Sequence, residues 1–220
     1  MKLYSYWRSS SAWRVRIVLA WKGIPYEYVA VNLLPDAAEN ASAGYAAVNP
    51  LEQVPTLEWT EAERVVRLAQ SVAIAEYLEE RFPQPHLFPK TTLARARMRQ
   101  AVEIINSGIQ PLQNSGTIAA LRALSDEDQV RAWVRNAMVR GLAALESLAL
   151  GQAAEFLVGD EPSLADAYLV PQLYNARRYA VDLTPYPKLT EIEAAAVSLE
   201  AFARAHPDEQ PDAPSRVRNE

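Results

Sequence analysis

The chain has 220 residues, half of them apolar, and a formal net charge of −5. That length suits two small domains, and the acidic balance argues against general nucleic-acid affinity, which needs a basic footprint. The chain has no cysteine and two histidines, His86 and His206, each near prolines. Disulfides, thiolate metal sites and protein-thiol nucleophiles are therefore excluded, and a histidine metal centre or Ser-His-Asp triad is hard to assemble.

In chain order, KLYSY reads as a short strand and SAWRVRIVLAWKG as a helix ended by Gly23. PYEYVAVNL, rich in Tyr and Val, reads as a second strand. Residues 35–50 have weak periodicity and read as a loop with one short helix. VPTLEW and ERVVRLA read as an antiparallel hairpin joined by the charged turn TEAE. QSVAIAEYLEERF closes the unit as a helix, with Ile74, Tyr77, Leu78 and Arg81 on one stripe. The order is βαβαββα. PQPHLFPK, with three prolines in eight residues, cannot continue a helix and marks a boundary.

Everything after Thr91 reads as helical. Met98, Ala101, Val102, Ile105, Ile109 and Leu112 recur at three- and four-residue spacing, and Pro111 is expected to kink that helix near Gln110. Arg95, Arg97 and Arg99 fall on different faces and read as a solvated helix start. Ser125 followed by acidic residues reads as another helix start. Ser163-Leu164-Ala165-Asp166 matches a capping box, which makes Asp166 structural. A last helix is expected over 187–205, with an irregular tail QPDAPSRVRNE. Trp13, Trp21 and Trp133 read as core. No run approaches the ~20 apolar residues that span a bilayer. MKLYSYWRSSS lacks the apolar stretch of a signal peptide, so a soluble, cytoplasmic chain is expected.

Several motifs resemble one family. YSYWRSSSAWRVRI, NPLEQVPTLEW, AQSVAIAEYLEE, GIQPLQN, SLADAYLVPQLYNARRY, VDLTPYPKL and LEAFARAHPDEQPDAP follow, in order and almost end to end, segments of the zeta-class glutathione transferases. That family includes maleylacetoacetate isomerase. The resemblance implies an α/β plus all-α protein of the glutathione transferase fold: a thioredoxin-like domain at 1–83, a linker at 84–90 and an all-helical domain at 91–220. It departs from the family at Ser11, where the family has cysteine, at the longer and more charged turn TEAERVVR, and at Asn40, where the family often has Gln.

The resemblance implies glutathione as cofactor, bound through Ser9, Ser10, Ser11, Asn40, Val54, Pro55, Gln70, Ser71, Gln110 and Asn114. On the residues alone, Val54-Pro55 is an ordinary trans proline opening an edge strand; the resemblance implies a cis bond that lets Val54 pair the cysteinyl peptide like an added strand. Ser71 reads as a helix N-cap, and a helix start also suits a carboxylate. The serine run reads equally as local capping or as chemistry. A free thiol has a pKa near ~8.5, and both a hydroxyl donor and a helix N-terminus favour its thiolate. Ser9 is the first choice for that hydroxyl and Ser10 the second. Arg178 is implied as the partner of a substrate carboxylate, with Arg8 adding positive potential and Gln110 reaching substrate or glutathione. Arg177 reads as a solvent-exposed helix-end cation.

Without a protein cysteine, reactions that resolve mixed disulfides are disfavoured, while isomerisation needs only the glutathione thiolate. The expectation is cis–trans isomerisation of a small dianionic diketo acid, maleylacetoacetate, in aromatic amino-acid breakdown. Maleylpyruvate isomerisation, general conjugation of haloacids and other electrophiles, and a non-catalytic binding module are the alternatives. A homodimer is expected from the family, with no metal, nucleic-acid or membrane partner.

Overall fold

Four residues, Lys2–Ser5, form β1, which pairs in parallel with β2 (Glu27–Ala30) and antiparallel with β3 (Thr56–Glu61). A parallel pair needs a crossover between its strands, and α1 (Ser10–Trp21) supplies it. A computed structural model of the chain describes residues 1–152 and 154–214. The sheet is completed by β4 (Arg64–Ala69), giving the order β2-β1-β3-β4. The expected hairpin joins β3 to β4 through Ala62 and Glu63, both at positive φ (45° and 64°). That is the hand of turn that suits the twist of two paired strands. The helix expected in 35–50 is a 3₁₀ turn, Glu39–Ala41, followed by α2 (Ala43–Ala46). α3 (Ser71–Arg81) closes the βαβαββα series.

α1 is buried on nearly every side, from Ala12 to Leu19, and it packs against α3. Its end is fixed by Gly23, at φ +63°. The Gly23 and Ile24 N–H groups donate to Ala20 and Leu19 carbonyls, the Schellman pattern that a left-handed residue makes possible. Lys22 then ties this end to the end of α3: its Nζ donates to the carbonyls of Phe82 (2.7 Å) and Pro85 (3.0 Å) and pairs with Glu79 at 2.7 Å.

Residues 86–199 form a second compact unit. α4 (Thr92–Asn106) packs on α6 (Glu127–Leu150) and α7 (Leu164–Arg178), and α8 (Pro187–Val197) packs on both α6 and α7. α4 carries the predicted stripe of Met98, Ala101, Val102 and Ile105. The helix does not kink at Gln110, however; it stops. Gly108 follows, where a Cβ would sit 2.6 Å from the Ile104 carbonyl oxygen, and Gln110–Leu112 form a separate 3₁₀ turn before α5 (Ser115–Arg122). Ile109 still reaches the core because it rests on Gly141 of α6. Asp126, rather than Ser125, caps α6 by accepting from the Gln129 N–H. Trp133 is 47% exposed rather than core, one position off the buried α6 stripe of Val130, Val134 and Met138.

The last expected helix is broken. α8 ends at Val197, and α9 (Glu200–Arg204) starts after Ser198 and Leu199. From Glu200 onward the chain belongs to the first unit, with residues 1–85, and α9 packs on α1. The helical region was expected to run to 220; its compact part ends at 199. Residues 215–220 of the expected irregular tail lie outside the described residues.

The capping box at the start of α7 is present as read. Asp166, completely buried, accepts from the Leu157 N–H (2.8 Å), the Ser163 N–H (2.7 Å) and the Ser163 hydroxyl (2.9 Å). Burial pushes its pKa up against those three donors. Asp166→Ala leaves the donors buried and unmatched, and a loss of about 3 kcal/mol or more is expected from the cost of unsatisfied buried groups. Chemical denaturation with an unchanged slope and a lowered midpoint checks this.

Candidate functional site

Ser9 is the N-cap of α1: its Oγ accepts the Ala12 N–H at 3.2 Å, and its own N–H donates to the Tyr6 carbonyl at 3.0 Å. The cap uses the oxygen as acceptor and leaves the hydroxyl proton to be donated elsewhere. Ser10 is buried in the first helical position. Ser11 donates its hydroxyl to the Ser71 Oγ at 3.4 Å, which brings the first turns of α1 and α3 side by side. Neither first turn contains an acidic residue, so the positive ends of both helices are uncompensated there.

Ser71 was expected as an N-cap. It is instead the first residue of α3, and Gln70 holds the cap position with no side-chain capping bond. The backbone of Gln70 is unusual, with φ 72° and ψ 116°. A residue with a Cβ rarely adopts positive φ, at a cost on the order of 1–3 kcal/mol, and such strain concentrates at functional sites. The consequence is local: the Gln70 side chain makes no capping bond at the start of α3, and a helix start of this kind suits an anion.

The Val54-Pro55 bond is cis, as the resemblance implies. Val54 is buried in a cluster with Tyr6, Ala12, Val31 and Tyr45. Among the described residues, no hydrogen bond takes up its N–H or C=O. The preceding peptide is clamped, since the Gln53 carbonyl accepts from both the Tyr45 hydroxyl and Asn49 Nδ2, each at 2.7 Å. Burial holds the Tyr45 phenol above its ordinary pKa, so it stays a donor. Asn40 joins the same loop by donating Nδ2 to the Glu52 carbonyl at 3.1 Å.

The segment leading into Ser9 is held from inside the protein. Arg16, with no exposed surface, donates Nη1 to the Tyr6 carbonyl (3.3 Å) and the Ser5 hydroxyl (3.1 Å). It also donates Nη2 to the Trp7 carbonyl at 2.8 Å and Nε to the Ala205 carbonyl at 3.2 Å. The Trp7 N–H donates to Asp212 at 3.0 Å. The Arg8 guanidinium lies over the Trp7 ring, 5.2 Å from its centroid. Sequence reading passed over Arg16 and Asp212. The available signal for Arg16 was a charge inside an apolar helix, since buried charges demand partners; Asp212 gave none.

The other expected site residues lie in the second unit. Gln110 opens the 3₁₀ turn, and its Oε1 accepts from Gln113 Nε2 at 3.3 Å. Gln113 in turn exchanges paired amide bonds with the buried Gln172, at 3.0 and 3.2 Å. Asn114 is the N-cap position of α5 and accepts from the Ser115 hydroxyl through Oδ1. Arg177 and Arg178 end α7, where cations suit the helix dipole. Arg177 is engaged by both oxygens of Glu193, which raises its pKa. Exposed Arg178 donates Nη1 to Asn175 Oδ1 at 3.3 Å.

A mixed four-stranded sheet with a cis prolyl turn ahead of β3, two adjoining helix starts and a separate helical unit define a thioredoxin-like domain accompanied by an all-helical unit. The chain belongs to the glutathione S-transferase family: residues 8–81 match its N-terminal domain model and residues 58–207 its C-terminal domain model. It is 45% identical to the maleylacetoacetate isomerase of Rattus norvegicus over 98% of this chain and 96% of that one. The maleylacetoacetate isomerase of Anaeromyxobacter dehalogenans, solved with glutathione in its active site, is 52% identical with a TM-score of 0.89, covering 97% of both chains. The same protein has been solved with dicarboxyethyl glutathione and citrate (50% identity, TM-score 0.88, 100% of this chain and 96% of that one). A maleylpyruvate isomerase, described as a bacterial zeta-class glutathione S-transferase, is 41% identical with a TM-score of 0.91, covering 97% and 100%.

Substitution reads the capping role of Ser9. Ser9→Ala is expected to cost about 1 kcal/mol through the lost cap, whereas Ser9→Gly costs only a few tenths. Thermal or denaturant melts of the two variants read the difference.

Proposed function

We propose that the chain is a glutathione-dependent cis–trans isomerase that converts maleylacetoacetate to fumarylacetoacetate, working as a cytoplasmic homodimer. The observation that carries this reading is the serine-lined meeting of two uncompensated helix starts in a chain without cysteine. Such a place favours a thiolate, and the thiolate must come from the cofactor.

In this reading Val54 pairs the cysteinyl peptide of glutathione through its backbone N–H and C=O, beside Pro55. The glutamyl carboxylate lies on the start of α3, against Ser71 and Gln70. Asn40 faces the glycyl end, and Ser11, Gln110 and Asn114 complete the polar contacts. The Ser9 hydroxyl donates to the sulfur, with Ser10 as the second choice. Both the hydroxyl and the α1 dipole lower the thiol pKa from ~8.5 toward neutrality.

The thiolate adds to the cis double bond of the substrate. A C–S bond forms, and the π electrons move onto the adjacent carbonyl oxygen as an enolate. The former double bond is now single and rotates. Collapse of the enolate re-forms the double bond in the trans geometry and expels the thiolate, so glutathione returns unchanged. Arg178 pairs a substrate carboxylate, and Arg8 adds positive potential beside the serines; fixed charges of this kind act on the anion that develops. The dicarboxyethyl glutathione held by the relative from Anaeromyxobacter dehalogenans supports a pocket for a thiol joined to a small diacid. Maleylpyruvate is the second reading, favoured by the likeness to a maleylpyruvate isomerase.

The test is a coupled assay with glutathione and freshly made maleylacetoacetate, with maleylpyruvate in parallel. Rapid formation of the trans product without net glutathione consumption is expected. Consumption in proportion to turnover would instead identify a conjugating transferase. Ser9→Gly and Ser9→Ala are both expected to lose about a hundredfold in kcat, the scale of removing one donor to a developing anion. Arg178→Ala is expected to lower kcat/KM for the dianion by about a hundredfold while glutathione affinity holds; titration calorimetry beside steady-state kinetics checks it. Equal loss of both would place Arg178 elsewhere than on the substrate.

A further inference from the structure

We propose that Asp212, near the far end of the chain, is a positioning residue for thiolate activation: it anchors the tail onto the peptide that delivers Ser9. The proposal rests on the reading that Ser9 faces the glutathione sulfur. One carboxylate oxygen of Asp212 accepts the Trp7 N–H at 3.0 Å, and the other accepts the Tyr28 hydroxyl at 2.7 Å. The Trp7 carbonyl is held from its other side by Arg16 at 2.8 Å. Trp7 is thus gripped at both its N–H and its C=O, two residues before Ser9. The Tyr6 carbonyl, which also accepts from Arg16, receives the Ser9 N–H at 3.0 Å. Few backbone positions in a loop are so completely determined.

The tail that carries Asp212 is itself built to hold a shape. Arg16 Nε donates to the Ala205 carbonyl at 3.2 Å. The His206 ring meets the face of buried Trp13 edge-on, with centroids 5.3 Å apart, and its Nδ1 accepts the Asp208 N–H. Buried Gln210 folds back to donate Nε2 to the carbonyls of Arg204 (3.1 Å) and His206 (2.8 Å). These bonds account for much of the motif HPDEQPDAP: His206, Pro207 and Gln210 shape the hook, and Asp212 is its point. A carboxylate accepting from a backbone N–H and a phenol makes charge-assisted bonds, stronger than neutral ones. Without Asp212 the Trp7 N–H loses its acceptor, and Trp7 keeps only the hold of Arg16 on its carbonyl. A donor displaced by about an ångström is enough to weaken catalysis strongly.

The experiment uses the full-length chain with Asp212→Ala and Asp212→Asn. Three quantities are read: the ultraviolet thiolate absorbance of bound glutathione at neutral pH, kcat, and the dissociation constant of glutathione. For Asp212→Ala, a loss of most of the thiolate signal and about a tenfold fall in kcat are expected, with glutathione affinity changed less than about threefold. Asp212→Asn keeps an oxygen for the Trp7 N–H and an amide for the Tyr28 oxygen, so it is expected to recover thiolate signal and kcat to within about threefold. A folded Asp212→Ala protein with wild-type thiolate signal and kcat overturns the proposal, as does failure of Asn to restore what Ala removes. If Asp212→Ala does not fold, Tyr28→Phe loosens one carboxylate oxygen, and an unchanged thiolate signal there overturns it equally. Because the thiolate absorbance is read with glutathione alone, a wild-type chain that binds it without ionising it counts against the role of Ser9 instead.

Discussion

Burial of the Arg16 guanidinium is the constraint on which the first unit depends. A cation taken wholly out of water is costly unless its donors are matched, and here each nitrogen has an oxygen partner. Burial lowers its pKa to about 10, which still leaves it charged at neutral pH. Three of its acceptors lie on consecutive residues, Ser5, Tyr6 and Trp7, at the point where β1 gives way to the loop before α1. The fourth, Ala205, belongs to the tail. A single side chain thereby fixes the end of a strand, the approach to a helix start and the return of the distant C-terminal segment. Replacing it by an apolar side chain would leave four acceptors without their donor, a cost to stability as well as to the arrangement.

The order of strands and helices in the first unit was legible because each element has its own local signal. Tyr- and Val-rich runs mark strands, Gly23 marks a helix end, and the prolines of PQPHLFPK mark a boundary. The breaks that sequence reading missed lack such signals. Ile109 and Leu112 continue the spacing of α4, yet the helix has already ended; Gly108 was the clue, and Pro111 drew the expected irregularity toward itself. Between α8 and α9 neither glycine nor proline stands at Ser198 or Leu199. The change there is one of packing partner, from α6 and α7 to α1, which no local pattern encodes.

The site divides in the same way. The cis bond of Val54-Pro55 followed from the resemblance and not from the residues alone, whereas the cap at the serine run was readable locally. Gln70 was named by its motif, but its backbone conformation was not, because a positive φ at a residue with a side chain has no compositional mark. Nor could spacing separate Arg177 from Arg178, neighbours in NARRY. The fold gives them different surroundings, since Glu193, brought up by α8, engages the first. Asp212 is the extreme case, since its partner Trp7 lies 205 residues away.

The 3.4 Å contact between Ser11 and Ser71 has a chemical consequence of its own. A sulfhydryl at that spot would feel the positive ends of two helices, which is the environment that makes protein thiols acidic and easily oxidised. Oxygen in its place keeps the polar bridge between the helices but is inert to peroxide, disulfide exchange and alkylation. With no cysteine in the chain, any sulfhydryl that reaches this spot comes from a diffusible molecule. Damage by an oxidant or a reactive electrophile then falls on a molecule that can leave and be replaced, and the polypeptide survives the encounter unmarked.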